Sequence, residues 1–105
     1  MLHFGDTANG TEVALHTGED FEISLDENRT TGFRWITQQN GAPQCALLDE
    51  RSSAPSRIPG AAGTHLWHFR AERPGVSAIE IRYQRPWESE REPARTFRLQ
   101  ARVSG

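Results

Sequence analysis

Apolar and polar residues alternate with a period of two along most of the chain. Phe21, Ile23 and Leu25 are separated by polar residues, as expected for a strand with one buried face. No window of helical length repeats its apolar residues every 3.6 positions, so the pattern favours strands throughout. Residues 45–50 are too few to distinguish a short strand from a helical turn. The alternating runs are 13–15, 21–25, 33–37, 65–71, 79–83 and 97–103.

Turn-forming residues separate these runs. Gly18 follows the first run, and Arg73, Pro74 and Gly75 form a turn before the run that starts at Ile79. About seven short strands joined by turns are typical of an all-β, immunoglobulin-like antiparallel β-sandwich, and a small barrel is the alternative. A chain of 105 residues is long enough for one hydrophobic core, so we expect a single domain over residues 1–105.

Composition narrows the possible partners and compartments. The net charge is −2 and acidic residues are mixed with basic ones, which argues against a nucleic-acid partner. Cys45 is the single cysteine, so the fold has no internal disulfide. No apolar run approaches the roughly 18 residues of a membrane span, and the first residues do not resemble a signal peptide. We therefore expect a monomer that does not bind membranes, cytoplasmic as written, or periplasmic or secreted if a leader has been removed.

Three loops between the expected strands have unusual sequences. They are residues 26–32, residues 51–63 and residues 84–95. If the strands alternate in direction and 45–49 is the fourth strand, these loops follow the second, fourth and sixth strands and lie at one end of the sandwich. Loops carried on a rigid scaffold commonly hold the functional residues, so we predict the function at this end.

The residue types in these loops allow a structural and a functional interpretation. Thr30 and Thr31 precede Gly32, and such threonines often bond their own backbone in a turn. They also suit a narrow tip that enters a cleft shaped for an extended peptide. Trp87 lies between a proline and a glutamate in a charged loop, where it either folds back onto the sandwich or stays exposed as a binding hot spot. Taken alone, the glycines at 60 and 63 are ordinary loop residues.

The three motifs together resemble the chagasin family, which inhibits papain-like cysteine peptidases. "NRTTGF" at 28–33, "GAAG" at 60–63 and "RPW" at 85–87 follow one another in the family's order, and the resemblance covers about residue 11 to the C-terminus. It implies an immunoglobulin-like sandwich whose three loops dock across the peptidase cleft, with the threonines near the catalytic cysteine and the tryptophan on the primed side. The peptidase-binding residues that it implies are Asn28, Arg29, Thr30, Thr31, Gly32, Phe33, Gly60, Ala61, Ala62, Gly63, Arg85, Pro86 and Trp87.

Two positions depart from the family pattern. Arg29 stands where the family has proline, which removes a restriction on φ and leaves the first loop less preorganised. Ala62 stands where the family has glycine, so contacts on the non-primed side weaken if that position needs a positive φ. The third motif fits without a change.

An enzymatic function has little support in the sequence. Cys45 lies in an apolar stretch, where a lone cysteine is usually a small core residue and not a nucleophile. His65 and His68 are three residues apart on an expected strand, so they point to opposite faces and do not form a metal site. The carboxylates are expected on solvent-facing positions, with no pair set apart for acid–base chemistry.

The sequence therefore predicts a reversible, non-covalent peptidase inhibitor without catalytic residues, metal or cofactor. The alternative is a β-sandwich binding module that uses the same loops for another protein or a carbohydrate. A cysteine hydrolase built on Cys45 is a third class.

Overall fold

The computed structural model describes residues 1–28, 32–53, 63–88 and 91–105. Eight strands run through these described residues, together with 3₁₀ turns at Asp6–Ala8 and Pro86–Glu88. No helix within the described ranges is long and apolar enough to cross a membrane. The strands are β1 (Leu2–Phe4), β2 (Thr11–His16), β3 (Asp20–Glu27), β4 (Arg34–Asn40), β5 (Cys45–Ser53), β6 (Gly63–Ala71), β7 (Gly75–Gln84) and β8 (Arg95–Ser104).

The strands form two four-stranded sheets, which confirms the predicted all-β sandwich. One sheet has the order β1-β3-β6-β5 and the other the order β2-β8-β7-β4. The inner pairs are antiparallel, whereas β1 pairs with β3 and β2 with β8 in parallel. Strand β1 has three residues and was not predicted, because so short a segment cannot display a period.

The apolar faces of the two sheets meet in one core. Trp67, Phe21, Phe69 and Phe97 are almost completely buried, and they occupy the alternate positions that the sequence pattern assigned to the inner face. The segment that begins at Cys45 is a strand. A register shift between Leu47 and Asp49 places an extra residue in β5, and this irregularity explains why its residues do not alternate cleanly.

The bases of the three unusual loops lie at one end of the sandwich, as predicted. In the first sheet Glu27 at the end of β3 pairs with Gly63 at the start of β6, and Ser53 at the end of β5 pairs with Thr64. In the second sheet the start of β4 pairs with the end of β7, and the end of β7 pairs with the start of β8. The indole nitrogen of Trp35 donates a hydrogen bond of 2.8 Å to the Asp26 carbonyl, which joins the two sheets at this end.

The strands extend further into the loops than the sequence predicted. Because β3 continues to Glu27 and β5 to Ser53, the loops are shorter than 26–32 and 51–63. We call residues 28–33 the threonine loop, residues 54–62 the glycine loop and residues 85–94 the tryptophan loop.

Candidate functional site

The predicted site residues fall partly outside the described residues. Residues 29–31 and 60–62, and with them Arg29, Thr30, Thr31, Gly60, Ala61 and Ala62, lie outside these ranges. Gly63 is the first residue of β6. The described members from the threonine and tryptophan loops are Asn28, Gly32, Phe33, Arg85, Pro86 and Trp87.

Trp87 is exposed to solvent and does not fold back into the core. It lies in the 3₁₀ turn Pro86–Glu88, and 71% of its surface is accessible. The Glu88 N–H donates to the Arg85 carbonyl at 2.9 Å, and the Arg91 N–H donates to the Glu88 carbonyl at 3.0 Å. These bonds fix the turn that holds the indole. Pro86 is the first residue of this turn, and the φ angle that its ring fixes suits that position.

The threonine and tryptophan loops touch each other at Gly32. Gly32 has a φ of +81°, a conformation that other residues rarely adopt. A Cβ atom at this position would lie 2.8 Å from Cη2 of Trp87, so a larger residue would displace the indole. Glycine is therefore required at position 32 both for its backbone conformation and for close approach of the tryptophan.

Phe33 and Arg85 form a second contact between the same two loops. The guanidinium carbon of Arg85 lies 4.6 Å from the centre of the Phe33 ring, within the range of a cation–π interaction. Nη1 of Arg85 is 3.7 Å from Oε1 of Glu88, an ion pair within the tryptophan loop. Arg85 thus connects Phe33 to the turn that carries Trp87.

Beneath the loops lies a buried carboxylate that the sequence analysis placed on a solvent-facing position. Glu27 is 2% exposed, which corrects that expectation. It accepts hydrogen bonds from the Trp35 N–H at 3.1 Å and from the Ser52 hydroxyl at 3.2 Å, and His65 Nδ1 lies at 3.0 Å. Burial opposes ionisation, but the bonds from His65, from the Trp35 amide and from Ser52 outweigh it and lower the pKa of Glu27.

The sequence carries a signal for the burial of Glu27 in its position along β3. Glu27 continues the inward series of Phe21, Ile23 and Leu25, because residues two apart on a strand share a face. Its partners come from β4, β5 and β6, so one carboxylate joins the ends of four strands that lead into the threonine and glycine loops.

His65 lies between two carboxylates. Its Nδ1 faces Glu27, its Nε2 lies 2.8 Å from Oε1 of Glu50, and its ring stacks on Trp67 with centroids 4.1 Å apart. His68 is on the opposite face, where its Nε2 lies 2.9 Å from Oδ2 of Asp20, and the two histidines diverge as the strand period predicted. The described residues contain no group of three or more histidine, cysteine or carboxylate side chains suited to a metal ion.

Cys45 is a core residue at the other end of the sandwich. It is 2% exposed at the start of β5, and its amide donates to the Gly41 carbonyl at 2.8 Å. Burial raises the pKa of its thiol, which disfavours the thiolate that a nucleophile needs. The structure therefore supports the interpretation of Cys45 as a small packing residue.

Comparison with known proteins assigns this β-sandwich to a class of peptidase inhibitors. Residues 14–101 match the sequence profile described as chagasin family peptidase inhibitor I42. The chain belongs to this family, whose members are peptidase inhibitors and not enzymes.

Individual relatives agree with this assignment. Chagasin of Trypanosoma cruzi is 32% identical over 84 residues, which cover 75% of this chain and 76% of that protein. The crystal structure of the cysteine protease inhibitor EhICP2 from Entamoeba histolytica has a TM-score of 0.84 at 18% identity and covers 98% of this chain and 94% of that one. The structure of PbICP-C in complex with falcipain-2 has a TM-score of 0.72 at 16% identity, with coverage of 97% and 89%. The two structures show the fold.

Proposed function

We propose that this protein is a reversible, non-covalent inhibitor of papain-like cysteine peptidases that occludes the active-site cleft with three loops. The chain belongs to a family of peptidase inhibitors. Among proteins of the same fold, PbICP-C forms a complex with falcipain-2, a papain-like cysteine protease. These relationships support papain-like cysteine peptidases as the class of target.

The observation that carries the proposal is the exposed Trp87 beside Gly32 of the threonine loop. An indole that is 71% exposed leaves a large apolar area in water, and such an area commonly marks a binding site. Its contact with Gly32 places it next to the loop that would enter the cleft. This contact supports a joint role of the two loops in binding.

The proposed peptidase-binding residues divide into those that contact the peptidase and those that hold the contacting residues in position. Thr30 and Thr31 would fill the cleft near the catalytic cysteine, and Trp87 would pack on the primed side. Residues 60–63 would lie along the non-primed side. Asn28, Gly32, Phe33, Arg85 and Pro86 would hold the contacting residues in position, and Arg29 would flank the tip.

The buried thiol supports inhibition without a covalent bond from the inhibitor's cysteine. The cysteine is buried at the far end, so it has no access to a bound peptidase.

An inhibition assay tests this proposal. The purified protein should inhibit papain with a constant that is independent of preincubation once equilibrium is reached, and intact mass analysis should recover it uncut and unmodified. Trypsin, a serine peptidase, is the control and should keep its full activity towards a small peptide substrate. Full papain activity at micromolar protein would exclude the proposal and favour a binding module for another protein or a carbohydrate.

A further inference from the structure

Tyr83, the only tyrosine in the sequence, lies at the base of both contacting loops. It is the next-to-last residue of β7 and is half-buried. It is not part of the "RPW" motif, and it is not among the residues proposed above to touch the peptidase. Its contacts nevertheless reach the first and the last residue of the threonine loop.

The hydroxyl of Tyr83 binds both backbone groups of Asn28. The Asn28 N–H donates to the tyrosine oxygen at 3.0 Å, and the tyrosine O–H donates to the Asn28 carbonyl at 3.2 Å. Asn28 is the residue at which the chain leaves β3, whereas Tyr83 belongs to the other sheet. One side-chain oxygen thus fixes the direction in which the threonine loop departs from the sandwich.

The ring of Tyr83 supports the other end of the same loop. It stacks on Phe33 with centroids 5.3 Å apart and planes inclined by 24°, and it lies 4.8 Å from the ring of Trp35. Stacked aromatic pairs at such distances contribute beyond the area that they bury. Phe33 in turn lies beneath Arg85, so the ring of Tyr83 indirectly supports the tryptophan loop.

The backbone of Tyr83 closes the tryptophan loop. Its carbonyl accepts a hydrogen bond of 2.9 Å from the Ala94 N–H, at the point where the chain enters β8. Side chain and backbone of one residue therefore hold the ends of two loops. A change in the side chain alone should affect the threonine loop first.

We propose that Tyr83 is a positioning residue for inhibition, which holds the threonine loop in the conformation that binds the peptidase without itself contacting the peptidase. This inference rests on the proposed function. If a loop adopts its binding conformation only part of the time, the apparent dissociation constant equals the intrinsic one divided by the fraction of molecules in that conformation. Removal of the hydroxyl should lower the fraction and slow association, whereas dissociation from the bound state should change little.

Tyr83→Phe is the appropriate variant because it removes one oxygen and keeps the ring that stacks on Phe33. Ser77→Ala is the matched control. Ser77 also lies on β7 and is partly buried, and its hydroxyl donates to the Gly41 carbonyl at 2.8 Å, but at the other end of the sandwich. The two variants lose a similar type of bond from the same strand, and only one of them faces the loops.

The experiment measures association and dissociation rates with papain, together with hydrogen exchange of the Asn28 amide by NMR, at a temperature at which all forms are folded. We expect Tyr83→Phe to weaken inhibition about tenfold, mainly through slower association, and to exchange the Asn28 amide faster. Ser77→Ala should inhibit like the parent protein.

The outcomes separate the inference from the function on which it rests. If the parent protein does not inhibit papain, the proposed function fails and the inference falls with it. If the parent inhibits and Tyr83→Phe inhibits equally well, the inference alone is wrong. Equal weakening of both variants in proportion to their lost stability would show that Tyr83 supports only the fold.

Discussion

Replacement of Trp87 by alanine should weaken papain inhibition by thirtyfold or more. The side chain of a tryptophan offers about 250 Å² for burial, and 71% of Trp87 is exposed in the free protein. If half of that exposed area is removed from water in the complex, the apolar contribution is about 2 kcal/mol at 25 cal/mol per Å². Hot-spot aromatics commonly lose about 2–4 kcal/mol on truncation, and 2 kcal/mol corresponds to about thirtyfold in the inhibition constant.

The same area calculation predicts only a small loss of folding stability for Trp87→Ala. The part of Trp87 that is already buried amounts to about 70 Å², so its loss should reduce the free energy of unfolding by less than about 2 kcal/mol. The melting temperature should therefore fall by only a few degrees. Val76→Ala provides a comparison, because Val76 is also an exposed apolar residue, 46% accessible, near the start of β7 at the far end of the sandwich.

Two measurements on each variant decide the matter. Inhibition constants for papain are measured well below the melting temperature, and melting curves are recorded in the same buffer. The reasoning predicts a large loss of inhibition for Trp87→Ala and none for Val76→Ala. If Trp87→Ala inhibits papain normally while folded, the tryptophan does not contact the peptidase and is not part of the binding surface.

The remaining predictions concern the threonine loop, the thiol and the buried carboxylate. Thr31→Asp should raise the inhibition constant at least about tenfold with little change in melting temperature, because a charge in the cleft would be desolvated without a partner; unchanged inhibition would remove this residue from the interface. Arg29→Pro should tighten inhibition about two- to fivefold by restricting φ, and a clear weakening would show that the arginine makes contacts of its own. Cys45→Ser should leave the inhibition constant unchanged, and an adduct in the intact mass of the complex with the parent protein would contradict this. The pKa of Glu27 is lowered from 4.5 in the folded protein, so its contribution to stability is present above about pH 4.5 and is lost as the pH falls through the lower folded value. Thermal unfolding between about pH 7 and 3 should show a smaller acid loss for Glu27→Gln than for the parent, and parallel curves would contradict the assignment.

The sandwich could be predicted from the sequence because its core depends on a period of two. Phe21, Trp67 and Phe97 lie on inner faces that the alternation identifies, and no long-range information is needed to assign them. The irregularity in β5 could not be predicted in this way. An inserted residue at a bulge breaks the period, and only the pairing with β6 shows where the break lies.

The site was predicted only in part, for a related reason. Motifs identify residues that belong to loops, such as Trp87, but they do not identify the side chains that hold a loop from below. Glu27, His65 and Tyr83 come from three different strands, and their contacts link positions far apart in sequence. Charge also misled the interpretation of Glu27, because a glutamate at an inward position was assumed to face solvent although its partners keep it buried and ionised.

Two of these supports flank position 29, where the family pattern has proline and this chain has arginine. A proline restricts one φ angle, which is worth about 0.4–1 kcal/mol. In this protein the residues on either side of 29–31 are fixed by other means, since Asn28 is held by the Tyr83 hydroxyl and Gly32 lies against the Trp87 indole. Three residues of the sequence separate these two fixed points. The two- to fivefold tightening expected of Arg29→Pro should therefore be larger in Tyr83→Phe, in which one of the two fixed points is lost.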